Sequence, residues 1–449
     1  MDHKDALFWI WLSEALGAAS KSFRRLIELY GNAYDIFHAE VEELERIPYL
    51  SKRNISALSD KSLQHASEIL DRCEKLGIGI LPYGDEEYPV ALKEIADPPV
   101  VLYYLGEWRN LNAELCIGMV GTRRMSAYGL RSAYKLSYEL ASVGAVIVSG
   151  MAKGIDGVCA AGALLAKGRT VAVLGSGVDI VYPAHHKPLS ESIKREGVLI
   201  SEYPPGEPPS RHHFPVRNRI ISGLSQATVV VEAGIGSGSL ITAKEAVLQG
   251  RDVFALPANV GSTGAEGTNG LLRDGAKLAL STLDILEPYR HIYTKPLFLE
   301  RLPKAMERSE ADLHALASLG VISLTRPQGT KESPVRAAPV QEPKKSRAKN
   351  SSSASEREQV MKSPKEEHGS APVEQDAASK REKSTPDAVL SSLSEVQLAV
   401  LKAIPDDRAV SADLLNSLGY PYGETIAALT TLEIMGLVQK LPGALYTKA

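Results

Sequence analysis

Four short glycine-containing turns carry the residue types that bind anions. A glycine turn that opens a helix presents unpaired backbone N–H groups at the positive end of the helix dipole, and the missing Cβ lets a phosphate come close. Taken singly, such a turn is more often only a tight strand-to-helix connection. Four together, two of them with Arg or Lys, favour anion binding. The candidate residues are Gly121, Thr122, Arg123 and Arg124; Ser149, Gly150 and Lys153; Gly175 and Ser176; and Gly236, Ser237, Gly238 and Ser239.

A polar, basic segment at residues 204–222 carries the second group of candidates, which are Arg211, Phe214, Arg217, Asn218 and Arg219. An aromatic ring among cations offers a face for base stacking and charges for the adjacent phosphates, as in sites for single-stranded nucleic acid. The structural alternatives stay open. Phe214 is equally suited to anchor the loop on the protein, and the arginines at 217 and 219 are suited to ion pairs with Glu202 or Glu232.

The elements that must position these residues are short apolar runs, rich in Val and Ile, that begin at about residue 114 and alternate with amphipathic helical stretches. This alternation predicts parallel strands that are buried on both faces. An open, doubly wound sheet binds its ligand beyond the carboxyl ends of its strands, where the glycine turns fall. The chain has no GxGxxG after the first of these strands and no GxxxxGK followed by Ser or Thr, so neither dinucleotide nor P-loop chemistry is favoured.

The predicted fold class is α/β. An extended Rossmann-like, doubly wound, mostly parallel sheet is preceded by a small all-α domain, similar to SAM or helix-hairpin-helix domains, and is followed by a tethered winged-helix domain. Residues 326–388 contain no Leu, Ile or aromatic residue, which predicts a disordered linker. The expected segments are helical residues 1–80, a connector at 81–113, the Rossmann-type domain at 114–290, a helical extension at 291–325, the linker, and the winged-helix domain at 389–449.

Charge and composition limit the classes of function. The net charge is −3, but residues 112–286 hold 17 Lys and Arg against 14 Asp and Glu, so a polyanion would be met there. The candidate recognition helix, residues 422–435, has Glu424 and Glu433 and no Lys or Arg, which favours a protein contact over duplex DNA. No apolar run is long enough to span a membrane and no secretory signal is evident, so we expect a cytoplasmic protein. Three scattered cysteines predict neither a disulfide framework nor a metal site.

The segments VGTRRMSAYG, VSGMAKGID, VAVLGSGVDIVYP, LISEYPPG, HFPVRNRIISGLS, VVVEAGIGSGSLITAKEAVLQGR and EGTNGLLRDGA resemble the DprA/Smf family of DNA-processing proteins. The resemblance implies a homodimer that binds and protects single-stranded DNA during natural transformation. It also implies loading of the recombinase RecA, interplay with single-strand-binding protein, and no catalysis or cofactor. By resemblance the DNA contacts are Gly121 to Arg124, Gly236 to Ser239, Arg211, Phe214, Arg217, Asn218 and Arg219, together with Lys153 and Asn269. Ala160 departs from the family pattern, because a His is frequent at this place.

An enzyme that processes nucleotides is the alternative function. Similar glycine-serine loops occur in phosphoribohydrolases, which cleave an N-glycosidic bond. Such cleavage needs a positioned acid or base beside the ribose, and the candidates are Glu232, Asp156 and Asp179. We expect these carboxylates to cap helices or hold arginines instead.

Overall fold

The computed structural model describes residues 3–48, 50–262, 264, 266–290, 297–323, 393–405, 410–411, 420, 422–435, 437–441 and 445–448. The chain forms two compact units, residues 1–337 and 338–449. The linker predicted at 326–388 lies outside the described residues.

A nine-stranded sheet forms the centre of the first unit. Its strands are β1 (Gly79–Pro82), β2 (Val101–Gly106), β3 (Cys116–Val120), β4 (Val146–Ser149), β5 (Thr170–Leu174), β6 (Val198–Ser201), β7 (Ala227–Val230), β8 (Asp252–Ala255) and β9 (Lys277–Leu278). They are ordered β1-β2-β6-β5-β4-β3-β7-β8-β9. Strands β3 to β9 run parallel, whereas β1 pairs antiparallel with β2 and β2 antiparallel with β6. The order reverses between β3 and β7, which is the switch point of a doubly wound sheet.

Helices cover both faces of this sheet, as the parallel β/α pattern predicted. On one face, α8 (Ala127–Ser142), α9 (Ile155–Leu165) and α10 (Lys187–Glu196) pack on strand residues such as Ile117. On the other, α7 (Val90–Lys93), α11 (His213–Leu224) and α12 (Gly238–Leu248) pack on residues such as Val120. The central strands are therefore buried on both sides, and only their ends are open to a ligand.

The N-terminal segment is helical and contains α1 (His3–Leu16), α2 (Ser22–Tyr30), α3 (Ala33–His38), α4 (Val41–Glu45), α5 (Lys52–Ser59) and α6 (Gln64–Leu76). The amphipathic pattern of residues 32–47 predicts one helix, but the structure has two, α3 and α4, which are separated where Ala39 adopts an extended backbone conformation. Residues 81–113, expected to form a connector, also contain regular structure. They contribute β2 to the sheet, and Tyr103 of β2 is buried in one core with Phe23 and Trp9 of the helices. Because β2 is covered on both faces, its sequence lacks the alternation of apolar and polar residues that marks a half-buried strand.

The segment after β8 packs on the same unit and contains α13 (Glu266–Arg273), α14 (Thr282–Leu286), α15 (Leu302–Arg308) and α16 (Leu313–Ser318). Phe298 donates a backbone hydrogen bond to Val143 (2.9 Å), and Leu302 and Leu316 are buried in the core beneath α8. The carboxylate of Glu139, on α8, accepts hydrogen bonds from hydroxyl groups of this segment, including Ser309 (2.7 Å). These contacts hold the segment against α8.

The second unit is a winged-helix domain. It contains α17 (Glu395–Ala403), α18 (Tyr422–Ile434) and a three-stranded sheet of β10 (Val410–Ser411), β11 (Val438–Leu441) and β12 (Leu445–Lys448), in the order β10-β12-β11. Strands β11 and β12 form the predicted antiparallel hairpin. The sequence also predicts a helix at 411–419, and almost all of that range lies outside the described residues. Val400, Leu429 and Leu432 form part of a separate hydrophobic core.

Candidate nucleic-acid interface

A cleft of about 760 Å³ opens at the carboxyl edge of the sheet, beyond the ends of β3 and β7. It therefore lies at the switch point, where the free ends of two neighbouring helices face the same space. Most of the residues predicted from the sequence line it, namely Gly121, Thr122, Arg123, Arg124, Arg211, Phe214, Arg217, Asn218, Ser237, Gly238 and Ser239.

The turn after β3 forms one wall of the cleft. The Thr122 hydroxyl accepts a hydrogen bond from the backbone N–H of Arg124 (3.1 Å), and Ser126 caps α8 by accepting from the N–H of Gly129 (3.0 Å). The side chains of Arg123 and Arg124 are exposed. A Cβ at Gly154 would lie 2.4 Å from the Thr122 carbonyl oxygen, so glycine is required where the second glycine turn passes the first.

An aromatic pair forms the floor beside this wall. Phe214, in the first turn of α11, lies 5.5 Å from Tyr182 between ring centroids, at an interplanar angle of 34°. The Arg123 guanidinium lies 5.4 Å from the centroid of the Phe214 ring, a cation–π distance. Sequence analysis missed Tyr182, which is 44% exposed. Tyr182 could have been predicted from its position in the sequence, a few residues beyond the Gly175 turn.

Two buried, oppositely charged residues, Arg217 and Asp156, also line the cleft. The Arg217 guanidinium donates to the Val173 carbonyl oxygen (2.7 Å) and is attracted by the carboxylate of Asp156. Burial lowers the pKa of Arg217 to about 10, and burial raises the pKa of Asp156, against the opposing effects of Arg217 and of backbone N–H groups in the glycine turns. A Cβ at Gly150 would lie 1.8 Å from Nη1 of Arg217, so glycine makes room for this guanidinium.

The far wall is the glycine-serine turn before α12. The hydroxyl groups of Ser237 and Ser239 lie 2.8 Å apart, and the Asn218 amide donates to the Gly238 carbonyl oxygen (3.3 Å). The first amides of a helix have no partner within the helix, so α12 directs N–H groups and the positive end of its dipole at the cleft. Gly236 shapes this turn with a φ of +77° but does not line the cleft.

Arg219 does not line the cleft, and the prediction that it shares this pocket is wrong. Its guanidinium is 3% exposed and forms ion pairs with Glu202 (2.7 Å) and Asp97 (3.4 Å). Arg219 therefore forms a structural ion pair with Glu202, which is the alternative that the sequence left open. Residues 217 and 219 are two positions apart on a helix, so their side chains point in different directions.

The remaining predicted residues lie around the cleft rather than in it. Gly150, Gly175 and Ser176 line a smaller hollow that also contacts Phe214. The buried Ser149 hydroxyl donates to the Met119 carbonyl oxygen (2.6 Å). Asn269 is likewise structural, because its amide group bonds the backbone N–H and carbonyl of Ala258 (3.1 and 3.0 Å). Lys153 is exposed on the second turn, outside the cleft lining.

The three carboxylates considered for an enzyme each have a structural contact. Glu232 accepts from the backbone N–H of Ser126 (2.9 Å), and Asp179 accepts from that of Gly206 (2.9 Å). Asp156 faces Arg217. Within the described ranges, no group of three or more His, Cys, Asp or Glu side chains is arranged to hold a metal. The described helices include none with the length and apolar character needed to cross a membrane.

The fold and the cleft together define an extended Rossmann-like protein with a basic, aromatic-lined cleft at its switch point and an appended winged-helix domain. A family model described as DNA recombination-mediator protein A matches residues 79–290, and one described as the DprA winged helix domain matches residues 384–444. The chain belongs to the DprA/Smf family of DNA processing proteins.

Individual relatives are similar over the same region. DNA processing protein DprA of Bacillus subtilis is 43% identical over 231 residues, which cover 51% of this chain and 78% of the relative. Protein Smf of Synechocystis is 37% identical over 292 residues, covering 64% and 73%. The X-ray structure of DprA from Streptococcus pneumoniae superposes with a TM-score of 0.56 at 34% identity, covering 63% of this chain and 97% of that one.

Proposed function

We propose that this protein binds single-stranded DNA in the switch-point cleft without sequence preference, and that it protects incoming strands and loads RecA onto them during natural transformation and recombination. One observation carries the proposal. The exposed side chains of Arg123, Arg124 and Arg211 line the same cleft as the aromatic pair of Phe214 and Tyr182. Membership of a family of DNA processing proteins supports it.

An unpaired strand fits this arrangement better than a duplex does. Stacking on Phe214 or Tyr182 requires a base whose face is free, and the faces are covered inside a double helix. Phosphates of the same strand are suited to the arginines and to the amides of the glycine turns. Because every base has a π-face and every nucleotide a phosphate, such binding tolerates any sequence.

Titration of a labelled oligothymidylate at two salt concentrations tests the cleft. We expect the affinity of the wild-type protein to fall with salt, with a slope of about −0.7 for each phosphate contacted. Arg123→Ala should weaken binding and make the slope shallower by about one such contact. The matched control is Arg195→Ala, which removes another exposed arginine, near the end of α10 and next to the amino end of β6. Equal affinities for both variants and wild type would exclude the cleft as the DNA-binding site.

The partner proteins need separate tests. We propose a homodimer that loads RecA and relieves the inhibition exerted by single-strand-binding protein. Sedimentation at micromolar concentration should give twice the monomer mass. RecA assembly on DNA coated with single-strand-binding protein should start sooner when this protein is added, and Arg123→Ala should remove the acceleration. No acceleration by a protein that binds the DNA normally would contradict RecA loading alone.

A further inference from the structure

A groove of about 410 Å³ lies on the outer side of α8, away from the sheet. It is formed by Tyr128, Arg131, Ser132 and Lys135 of α8 and by Met306, Ser309, Glu310 and Ala311 of the segment around the end of α15. None of these residues lines the cleft described above. The groove is thus a second concave surface in the same unit.

The groove follows one face of α8. Residues 128, 131 and 135 are spaced i, i+3 and i+7, which places their side chains on one stripe of the helix. Tyr128, Arg131 and Lys135 are exposed, and the Tyr128 hydroxyl donates to the Pro257 carbonyl oxygen (2.9 Å), which holds the ring in place. With a rise of about 1.5 Å per residue, the stripe is roughly 10 Å long.

The charge of this stripe is positive. The only carboxylate on α8, Glu139, is buried and bonded to hydroxyl groups, so both exposed charges of the helix are basic. Within the part of the chain that the structure describes, neither Arg131 nor Lys135 lies within ion-pair distance of a carboxylate. The opposite wall carries one acid, Glu310, which is exposed.

The stripe follows closely after a cleft residue in the chain. Arg124 lines the cleft and lies only three residues before the first residue of α8. From there α8 runs back from the carboxyl edge towards the amino edge of the sheet. A strand that leaves the cleft past Arg124 therefore meets, in order, an aromatic ring and two cations.

We propose that the α8 groove is a second segment of the single-stranded DNA path, in which Arg131 and Lys135 contact phosphates of nucleotides that lie outside the cleft. The occupant is the same polyanion, because Arg124 of the cleft lies just before α8 in the chain and the groove repeats the cleft's combination of cations and an aromatic face. This inference rests on the proposed function of the cleft.

Oligonucleotide length provides the test. We compare oligothymidylates of about 6 and about 20 nucleotides, since known single-strand sites cover about 4 to 16 nucleotides for each binding module. The double variant Arg131→Ala/Lys135→Ala should bind the short oligonucleotide as the wild type does. For the long one it should bind at least several-fold more weakly, with a salt slope shallower by about 1.4 for two lost phosphate contacts. Glu310→Gln should change affinity in the opposite direction, and only for the long oligonucleotide.

The control Lys194→Ala/Arg195→Ala removes the same charge near the end of α10, next to the amino end of β6, and should leave both affinities unchanged. If the α8 variant binds both oligonucleotides as tightly as the wild type does, the groove is not part of the DNA path, although the cleft proposal stands. That result would favour an acidic protein as the partner of the groove. Equal loss for both lengths would also overturn the groove proposal, because the residues would then act on the cleft. Absence of binding by the wild type at any length and salt would overturn both proposals.

Discussion

The switch-point cleft and the winged-helix domain use polar residues in opposite ways. At the cleft, exposed arginines stand beside glycine turns, and the nearby acid Asp156 is buried against Arg217. On α18, the exposed charges are the carboxylates of Glu424 and Glu433. A polyanion is attracted by the first arrangement and repelled by the second. The difference teaches that the sign of the exposed charge separates two domains of one chain, and it predicts that only the first of them binds DNA.

Charge reversal at the cleft is the largest expected effect. Arg123→Glu removes a guanidinium beside Phe214 and places a carboxylate against the DNA phosphates. Hydrogen bonds to charged groups contribute about 1.5 to 3 kcal/mol, and repulsion adds to the loss, so we expect affinity for oligothymidylate to fall about 100-fold or more. Arg195→Glu is the control of equal charge change. A loss of similar size for the control would mean that net charge, rather than the cleft, governs binding.

Removal of the aromatic face comes next. Phe214→Ala should cost about 1 to 3 kcal/mol of binding free energy if a base stacks there, which is about 5- to 150-fold in affinity. Phe214→Leu separates the two roles of this ring, because leucine retains much of the packing against Tyr182 but has no π-face. Stacking predicts that leucine binds almost as weakly as alanine. Binding by the leucine variant at wild-type strength would assign Phe214 to anchoring the loop.

Alanine substitutions at two glycines near the cleft should separate an effect on stability from an effect on DNA binding. In Gly150→Ala the new Cβ collides with the buried Arg217 guanidinium, and overpacking of this kind costs about 1 to 3 kcal/mol of unfolding free energy. In Gly238→Ala the new Cβ has no neighbour within 4 Å, so the fold should be unaffected. It should still weaken DNA binding a few-fold, because the methyl group projects where a phosphate would approach the amides of α12. Thermal unfolding and oligonucleotide titration of both variants measure the contrast. Equal DNA affinity for Gly238→Ala and wild type would show that no phosphate binds at the amides of α12.

The sequence predicted the parts of this molecule that repeat a strong local pattern. Val- and Ile-rich runs ending in glycine turns located the parallel strands and hence the cleft, because those turns must meet at one edge of the sheet. It did not separate Arg217, which lies in the cleft lining, from Arg219, which is paired with Glu202, because that distinction depends on which way α11 faces. It also missed β2 and the contribution of Tyr182, whose neighbours come from distant parts of the chain.

Removal of the winged-helix domain is the smallest expected effect on DNA binding. A chain that ends at residue 323 retains the cleft, the α8 groove and every core that the first unit contains, and the second unit has a core of its own. Because the exposed charges of α18 are negative, we expect the affinity for oligothymidylate to stay within about twofold of the full chain. The isolated domain should bind neither duplex nor single-stranded DNA at low salt, where electrostatic binding is strongest. Duplex binding by the isolated domain would show that cations outside α18 outweigh its carboxylates. The two regions would then differ in whether they bind single-stranded or duplex DNA, not in the sign of their charge.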